Sequence, residues 1–366
     1  MDHTNRENRE LAENPFAMED TTVANLPERM EAYYEDHLPF KNELTATQNK
    51  VAVGFFGEST NPEVVVGKDG WLFFNSAEHG DPLGDYQGKV LFTEEEAAEI
   101  ADYFNGPEEY FQYRGIQFII VIAPGKERVY PQYLPDSYGE PEYGRGEQMY
   151  RYLSDHCPGI PVLSMFELLK DYADKDEELV FFKTDTHWNH LGAYLAAKEI
   201  LSVVDMELPE VAKEDLVEFD PGGGDLSDLL GIDPSDVTDV DYELTGPLSF
   251  PYATKEGDVM SQVYYTADAS SGKKAVLMGD SMSINLAEEL AGHFSELCFF
   301  RRWGQNTESF WEIVERMRPD VVIYETSDRY IDQVGILGKP LRAPGFYARH
   351  PELEFGSEGP EVDLPM

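Results

Sequence analysis

The sequence predicts an α/β fold built on a doubly wound, mainly parallel sheet, and three observations carry that reading. First, Ile116 to Ala123 is a β-branched apolar run stopped by Pro124-Gly125, the pattern of a buried parallel strand. Second, runs of the same kind recur at Val162-Leu163, Leu179 to Phe182, Ala275 to Met278, Leu297 to Phe300 and Val321 to Tyr324. Third, helical spacing fills most of the gaps, as at Leu191 to Val204 and Phe310 to Met317, and strand–helix alternation is the signature of a parallel sheet covered on both sides.

The elements follow in order. Residues 1–50 are highly charged and carry one helix-like stretch from Leu26 to Tyr34, so they read as an N-terminal arm. Val64-Val65-Val66 and Trp71-Leu72-Phe73-Phe74 flank Gly67-Lys68-Asp69-Gly70, a turn signal between two strand-length runs that predicts a β-hairpin. Thr93 followed by Glu96 is a capping-box pair, and Ala97, Ile100, Ala101 and Phe104 continue it at helical spacing towards Gly115. Between about 205 and 274 the alternation lapses into Gly- and Asp-rich sequence with short alternating runs, read as a β-rich insertion inside a catalytic domain spanning 51–350. Residues 351–366 form an acidic tail.

Composition narrows the function. With 28 Lys and Arg against 71 Asp and Glu, the 366-residue chain carries a formal charge of −43, which excludes attraction to nucleic acid phosphates. Hydrophobic residues at 42% and aromatics at 13% exclude a disordered acidic chain. Cys157 and Cys298 are too few for a disulfide framework or a zinc site. No stretch reaches the roughly 18 apolar residues needed to span a bilayer, and the polar opening Met1-Asp2-His3 does not read as a signal peptide.

Two segments carry chemistry. Ala275 to Met278 runs into Gly279-Asp280-Ser281 and then a helix-compatible stretch through Leu290. Such a turn exposes Ser281 at the carboxyl end of a strand, where unpaired backbone N–H groups favour developing negative charge; taken alone, Ser281 or Asp280 reads more simply as a helix cap. In Asp185-Thr186-His187-Trp188-Asn189, an extended backbone puts the side chains of Asp185 and His187 on one face about 6.5–7 Å apart, within turning reach of each other. Asp185 would then hold one imidazole tautomer and leave the other nitrogen as a base for Ser281. Asn189 reads as the N-cap of the next helix, and Asp-x-His-x-x-His through His190 admits a minor metal reading.

With both motifs in hand, the sequence resembles the SGNH hydrolase-like domain of the alginate O-acetyltransferase family, a flavodoxin-like sheet fold. The likeness includes Gly67 to Phe73 and Ile122 to Pro131, and it extends from about Leu38 to Arg329. The resemblance implies Ser281 as nucleophile, His187 as general base and Asp185 as its orienting acid. It also implies an extracytoplasmic site of action at the cell surface or in the periplasm, a polysaccharide acceptor, and acetyl groups supplied by a membrane-bound O-acyltransferase, with no cofactor. Too few residues follow Ser281 for a separate carbohydrate-binding module, and so negative a surface suits a neutral or partly basic glycan better than a polyuronate.

The remaining candidates are oxyanion or substrate groups: Gly279, Asp280 and Asn189 at the motifs, Asn75, Asn285, Gln305 or Asn306 as a side-chain donor, and Lys126 and Tyr130 beyond a strand end. Trp188 is a sugar-stacking platform beside the base, a role Trp71, Trp303 and Trp311 share only in competition with the core. Arg301, with Arg302, is a rare basic spot for a carboxylate. Two rival functions use the same fold: a carbohydrate acetylesterase with water as acceptor, and a non-catalytic glycan-binding assembly protein.

Overall fold

The computed structural model describes residues 57–333 except 176–177, 253, 259–260 and 303–306, together with 14–17, 22, 25–37, 49 and 51–53. Helix α1 (Leu26–His37) precedes the predicted hairpin of β1 (Val64–Val66) and β2 (Leu72–Phe74), which pair antiparallel with Val65 opposite Phe73. The hairpin turn needs left-handed backbone at Asp69 (φ 53°) and Gly70 (φ 81°), which explains the Asp-Gly pair. After α2 (Pro82–Tyr86) comes α3 (Glu94–Arg114), closed at its start by the Thr93–Glu96 capping box and at its end by left-handed Gly115.

The sheet then assembles from β3 (Gln117–Ala123), α4 (Lys126–Val129), α5 (Arg145–His156), β4 (Val162–Ser164), α6 (Phe166–Lys175) and α7 (His190–Val203). Between residues 205 and 274 lie β5 (Leu216–Phe219), α8 (Asp225–Leu229), β6 (Asp241–Leu244), β7 (Thr254–Gly257) and β8 (Ser261–Tyr265). The chain closes with β9 (Lys274–Gly279), α9 (Ser283–Ala291), β10 (Glu296–Arg301), α10 (Thr307–Met317) and β11 (Val321–Ser327). The central sheet has the order β4-β3-β11-β9-β10-β8-β7, parallel from β4 to β10 and antiparallel at β8 and β7.

Period-two alternation splits the core across this sheet. Ile119, Val121, Leu277, Leu297, Phe299 and Ile323 face α7 and α9, whereas Phe118, Ile120, Val276, Met278, Phe300 and Tyr324 face α3, α5 and α10. Both faces are covered, hence the continuous apolar runs. Within 205–274, β7 and β8 extend the central sheet as its edge, while β5 and β6 form a separate ribbon. Leu226 of helix α8 and Leu230 at its C-cap are buried against Val64 and Leu72 of the hairpin. At roughly 1.5–3 kcal/mol per buried leucine, that patch ties the segment to the front of the domain.

One strand expectation fails. Leu179 to Phe182 makes a single bridge, Phe181 to Trp188, and joins no sheet. Its apolarity reflects burial of Val180 and Phe181 rather than a ladder, and its backbone is satisfied partly by side chains, Tyr130 Oη accepting from Val180 N at 2.9 Å and Tyr242 Oη from Leu179 N at 3.1 Å, and partly by the bend that follows, Phe182 N donating to His187 O and Asn189 N to Val180 O at 3.2 Å each.

Candidate active site

Three neighbouring parallel strands deliver the site at their carboxyl ends. β3 leads into Pro124 to Glu127, β11 into Asp328 and Arg329, and β9 into Asp280, Ser281 and Met282. A cleft of about 360 Å³ opens there, lined by Pro124 to Glu127, by Ser327 to Arg329 and by Met282, the residue after Ser281, together with Phe74, Pro82 and Thr186. Open α/β sheets place ligands at this edge.

Ser281 lies in the turn between β9 and α9, partly accessible, and the N-cap position of α9 is Met282, so Ser281 does not cap the helix. The turn is held from behind. Asp280 accepts from Met282 N at 2.9 Å, from Ser327 N at 2.9 Å and Oγ at 2.7 Å, and from Arg302 Nη2 at 3.3 Å, with Asp280 and Arg302 each 1% exposed. Burial acts against this carboxylate, but the charge of Arg302 and the hydrogen bonds outweigh it and hold Asp280 below the usual range. Glu325 Oε2 accepts from Asp280 N at 3.2 Å and Ser283 Oγ at 2.7 Å. A Cβ at Gly279 would overlap Ser283 Oγ and Glu325 Oε2, which accounts for glycine there. Asp280 and Gly279 are therefore scaffolding, not substrate or oxyanion groups.

The acid–base segment folds as a tight bend rather than the extended strand of the sequence reading. Asp185 Oδ1 accepts from His187 N at 2.9 Å and lies 2.5 Å from His187 Nδ1, while Asp185 Oδ2 accepts from Asp225 N at 2.9 Å. His187 Nε2 is buried and has no hydrogen-bond partner among the described residues. Burial pulls the His187 pKa down, yet the hydrogen bond and charge of Asp185 overcome it and the net direction is up. Burial likewise raises Asp185, but its bonds to His187 dominate and carry it down to about 2.

The structure ties the two motifs together one residue beyond each. Trp188 Nε1 donates to Met282 O at 2.9 Å, and Asn285 Nδ2 donates to Trp188 O at 3.1 Å. This corrects two candidates: Trp188 is fully buried and is a cross-tie, not a sugar platform, and the Asn285 amide is spent on a carbonyl. Trp71 and Trp311 are buried core, and Trp303, Gln305 and Asn306 lie outside the described residues. Asn75 donates to Pro62 O at 3.3 Å. Asn189 is the N-cap of α7, accepting from Gly192 N at 3.0 Å, with Nδ2 on Leu179 O at 2.7 Å. Tyr130 is buried with its hydroxyl on Val180 N. Lys126 lines the cleft, but its Nζ donates to three backbone carbonyls. Arg301 ends β10 and is not among the residues lining the cleft.

Several groups had no sequence signal of their own. Asp225 accepts from Thr186 N at 2.8 Å and Oγ1 at 2.6 Å, and Asp239 accepts from Lys183 N and Thr184 N, each at 2.7 Å, so residues from 205–274 brace the acid–base segment. Arg329 lines the cleft with its Nε buried and without a hydrogen bond among the described residues, its guanidinium over the rings of Phe74 and Tyr330 at 5.1 and 5.0 Å. Its place beyond β11 matches that of Lys126 beyond β3, a positional clue that was available. Asp185, His187 and Asp225 bring three ligand-type atoms within 4.8 Å of one another, but His190 instead faces Asp241 at 2.7 Å, so the Asp-x-His-x-x-His metal set does not form.

The sequence matches the model of the SGNH hydrolase-like domain of the acetyltransferase AlgX over residues 64–311. The chain belongs to that family. The probable alginate O-acetylase AlgJ of Pseudomonas syringae pv. tomato is 25% identical over 346 residues, covering 87% of this chain and 82% of the relative. The AlgJ protein of Pseudomonas aeruginosa is 29% identical over 231 residues, 60% of this chain and 54% of the relative, so the chain spans about half the length of that protein. Bacillus cereus PatB1 superposes with a TM-score of 0.54 at 15% identity, covering 73% of this chain and 96% of PatB1, a likeness of fold. Membership of the AlgX family makes the chain an SGNH-type O-acetyltransferase. Among the described residues no helix is long and apolar enough to cross a membrane.

Proposed function

We propose that the protein moves acetyl groups onto hydroxyls of a polysaccharide through an acetyl-Ser281 intermediate. Ser281 Oγ attacks the acetyl carbonyl carbon as its proton passes to His187 Nε2, and His187 returns that proton to the leaving group. A sugar hydroxyl then gives its proton to the same nitrogen, attacks the acetyl-serine and releases Ser281. Asp185 stays ionised on Nδ1 throughout, fixing the tautomer and stabilising the imidazolium. Arg329 supplies a donor for the oxygen that becomes negative at each tetrahedral stage.

One observation carries this reading: His187 presents an unpartnered, buried Nε2 while Asp185 holds Nδ1, and the Trp188–Met282 hydrogen bond keeps the Ser281 turn alongside. The formal charge of −43 favours an acceptor of low or positive charge. Action outside the cytoplasm, with donor acetyl groups handed over by a membrane-bound acyltransferase, follows from the family resemblance and belongs to the same proposal.

The test is incubation of wild-type protein and Ser281→Ala with an aryl acetate and a panel of neutral, aminated and uronate oligosaccharides, followed by mass spectrometry. Acetylated sugar and an acetyl adduct on the Ser281 peptide, both missing in Ser281→Ala, are expected. Equal turnover in the variant removes Ser281 from the mechanism, and free acetate without acetylated sugar replaces transfer by hydrolysis.

A further inference from the structure

We propose that Lys126 is a positioning residue for the acid–base pair: its ammonium staples the carbonyls of Phe182, Lys183 and Asp185 and so fixes the bend that holds Asp185 and His187 on either side of the cleft-lining Thr186. The inference rests on the acyl-transfer reading above. Lys126 is 3% exposed, and Nζ donates to Phe182 O at 3.1 Å, Lys183 O at 2.9 Å and Asp185 O at 2.7 Å. An ammonium has three N–H donors, and all are spent. The rings of Trp71 and Phe73, 5.5 and 5.4 Å away, wall the charge off.

A buried cation is expensive, so its presence needs a reason. The stretch before Asp185 has no ladder beyond the Phe181–Trp188 bridge; Asn189 serves the carbonyls of Leu179 and Val180, and Leu72 N shares that of Lys183 with Lys126, which leaves Phe182 O and Asp185 O to the ammonium. Lys126 meets that need at the residue where position matters most: Asp185 gives its carbonyl to Lys126 and its carboxylate to His187. A displaced Asp185 backbone therefore displaces the imidazole. Misplacement of a reacting group by about 1 Å costs on the order of 100-fold in rate. Because the donors go to carbonyls, the charge is balanced only through space, by Asp239, Asp185, Asp225 and Glu127; burial nevertheless brings Lys126 down to about 8.

Lys126→Met and Lys126→Gln, checked for a cooperative thermal transition, are assayed with an aryl acetate, and the low-field proton resonance of the His187–Asp185 hydrogen bond is recorded without substrate. Expected are a kcat lowered about 100-fold for Met and about 10-fold for Gln, which keeps two donors, with KM within about twofold of wild type and the resonance lost in Lys126→Met. A KM that rises while kcat holds marks Lys126 as a substrate contact and overturns the proposal, as does an unchanged kcat with an unchanged resonance. If neither variant folds, the wild-type profile decides: kcat should fall above about pH 8 at constant KM, and a flat kcat to about pH 10 overturns the proposal. The resonance is read without turnover, so a failed acyl-transfer reading is distinguishable from a failed staple.

Discussion

The indole nitrogen of Trp188 donates to the backbone carbonyl of Met282 at 2.9 Å, joining the residue after the candidate base to the residue after the candidate nucleophile. Asn285 closes the exchange by donating to the Trp188 carbonyl at 3.1 Å. Two segments far apart in the chain are thereby registered to each other at the carboxyl end of β9 by a tie that uses no catalytic atom. Rigid registration of this kind keeps an active site within the tolerance that proton transfer demands.

Trp188→Phe keeps an aromatic ring but removes the N–H. The Met282 carbonyl, on a residue 3% exposed, loses its donor, at a cost of about 1–3 kcal/mol. Thermal unfolding should show that loss, and aryl acetate turnover should fall about 10-fold, mainly in kcat. Wild-type stability and rate in the variant would mean the tie is incidental.

Asp185→Asn tests the electrostatics of the pair. His187 has a folded pKa above its ordinary value, so the acid limb of kcat/KM should lie above the roughly 6.5 of a free imidazole, and in the variant it should move down while the rate drops on the order of 10³–10⁴-fold. Stability follows the same signs. The His187 contribution is full below its unfolded pKa and is lost as pH rises through the raised folded value; that of Asp185 is present above its unfolded pKa and is lost as pH falls through about 2. A limb that stays put in Asp185→Asn would separate Asp185 from the imidazole.

Strands β3, β9, β10 and β11 are legible in the sequence because helices cover both sheet faces, so burial itself writes the apolar run. The same signal misleads at Leu179 to Phe182, where burial comes without a ladder. Edge strand β7, Thr254–Gly257, is exposed throughout and leaves no apolar trace. At the site, Asp185 and His187 are readable because they are two residues apart, whereas Arg329 reaches the cleft, and Asp225 and Asp239 reach the acid–base bend, only through the tertiary fold. Trp188 looked like a platform because a tryptophan beside a base reads the same whether its ring faces sugar or core.

Arg329→Met removes the unpartnered buried donor from the cleft. Loss of one oxyanion donor costs on the order of 10²–10³ in kcat, and acylation of Ser281 by an aryl acetate, followed as the burst, should slow by that factor. A burst at the wild-type rate would leave Arg329 to acceptor binding alone.

Glu325 is fully buried; burial first, and the charge of Asp280 second, raise its pKa well above the ordinary value. A group raised in this way contributes its stability below its unfolded pKa and loses it as pH rises through the folded one. Glu325→Gln keeps the shape and the acceptor for Ser283 without the titration. Stability near pH 7 should stay within about 1 kcal/mol of wild type, while the decline on the alkaline side attributable to Glu325 disappears from urea titrations across pH. Parallel stability–pH curves for the two proteins would show that Glu325 does not change protonation on unfolding.

Asp239 is where the 205–274 segment grips the acid–base bend. Its carboxylate, on a residue 4% exposed, takes Lys183 N and Thr184 N at 2.7 Å each and Thr184 Oγ1 at 2.6 Å. Asp239→Ala leaves these donors without their acceptor, and at about 1–3 kcal/mol per buried group the loss should reach several kcal/mol, less whatever water recovers. Asp239→Asn keeps one acceptor oxygen and should fall between. Because Thr184 adjoins Asp185, the rate should decline along the same series, Asn before Ala, with the low-field His187–Asp185 resonance weakening in step. If stability falls and that resonance does not change, the brace serves folding only, and Lys126 with Asp225 suffices to hold the pair.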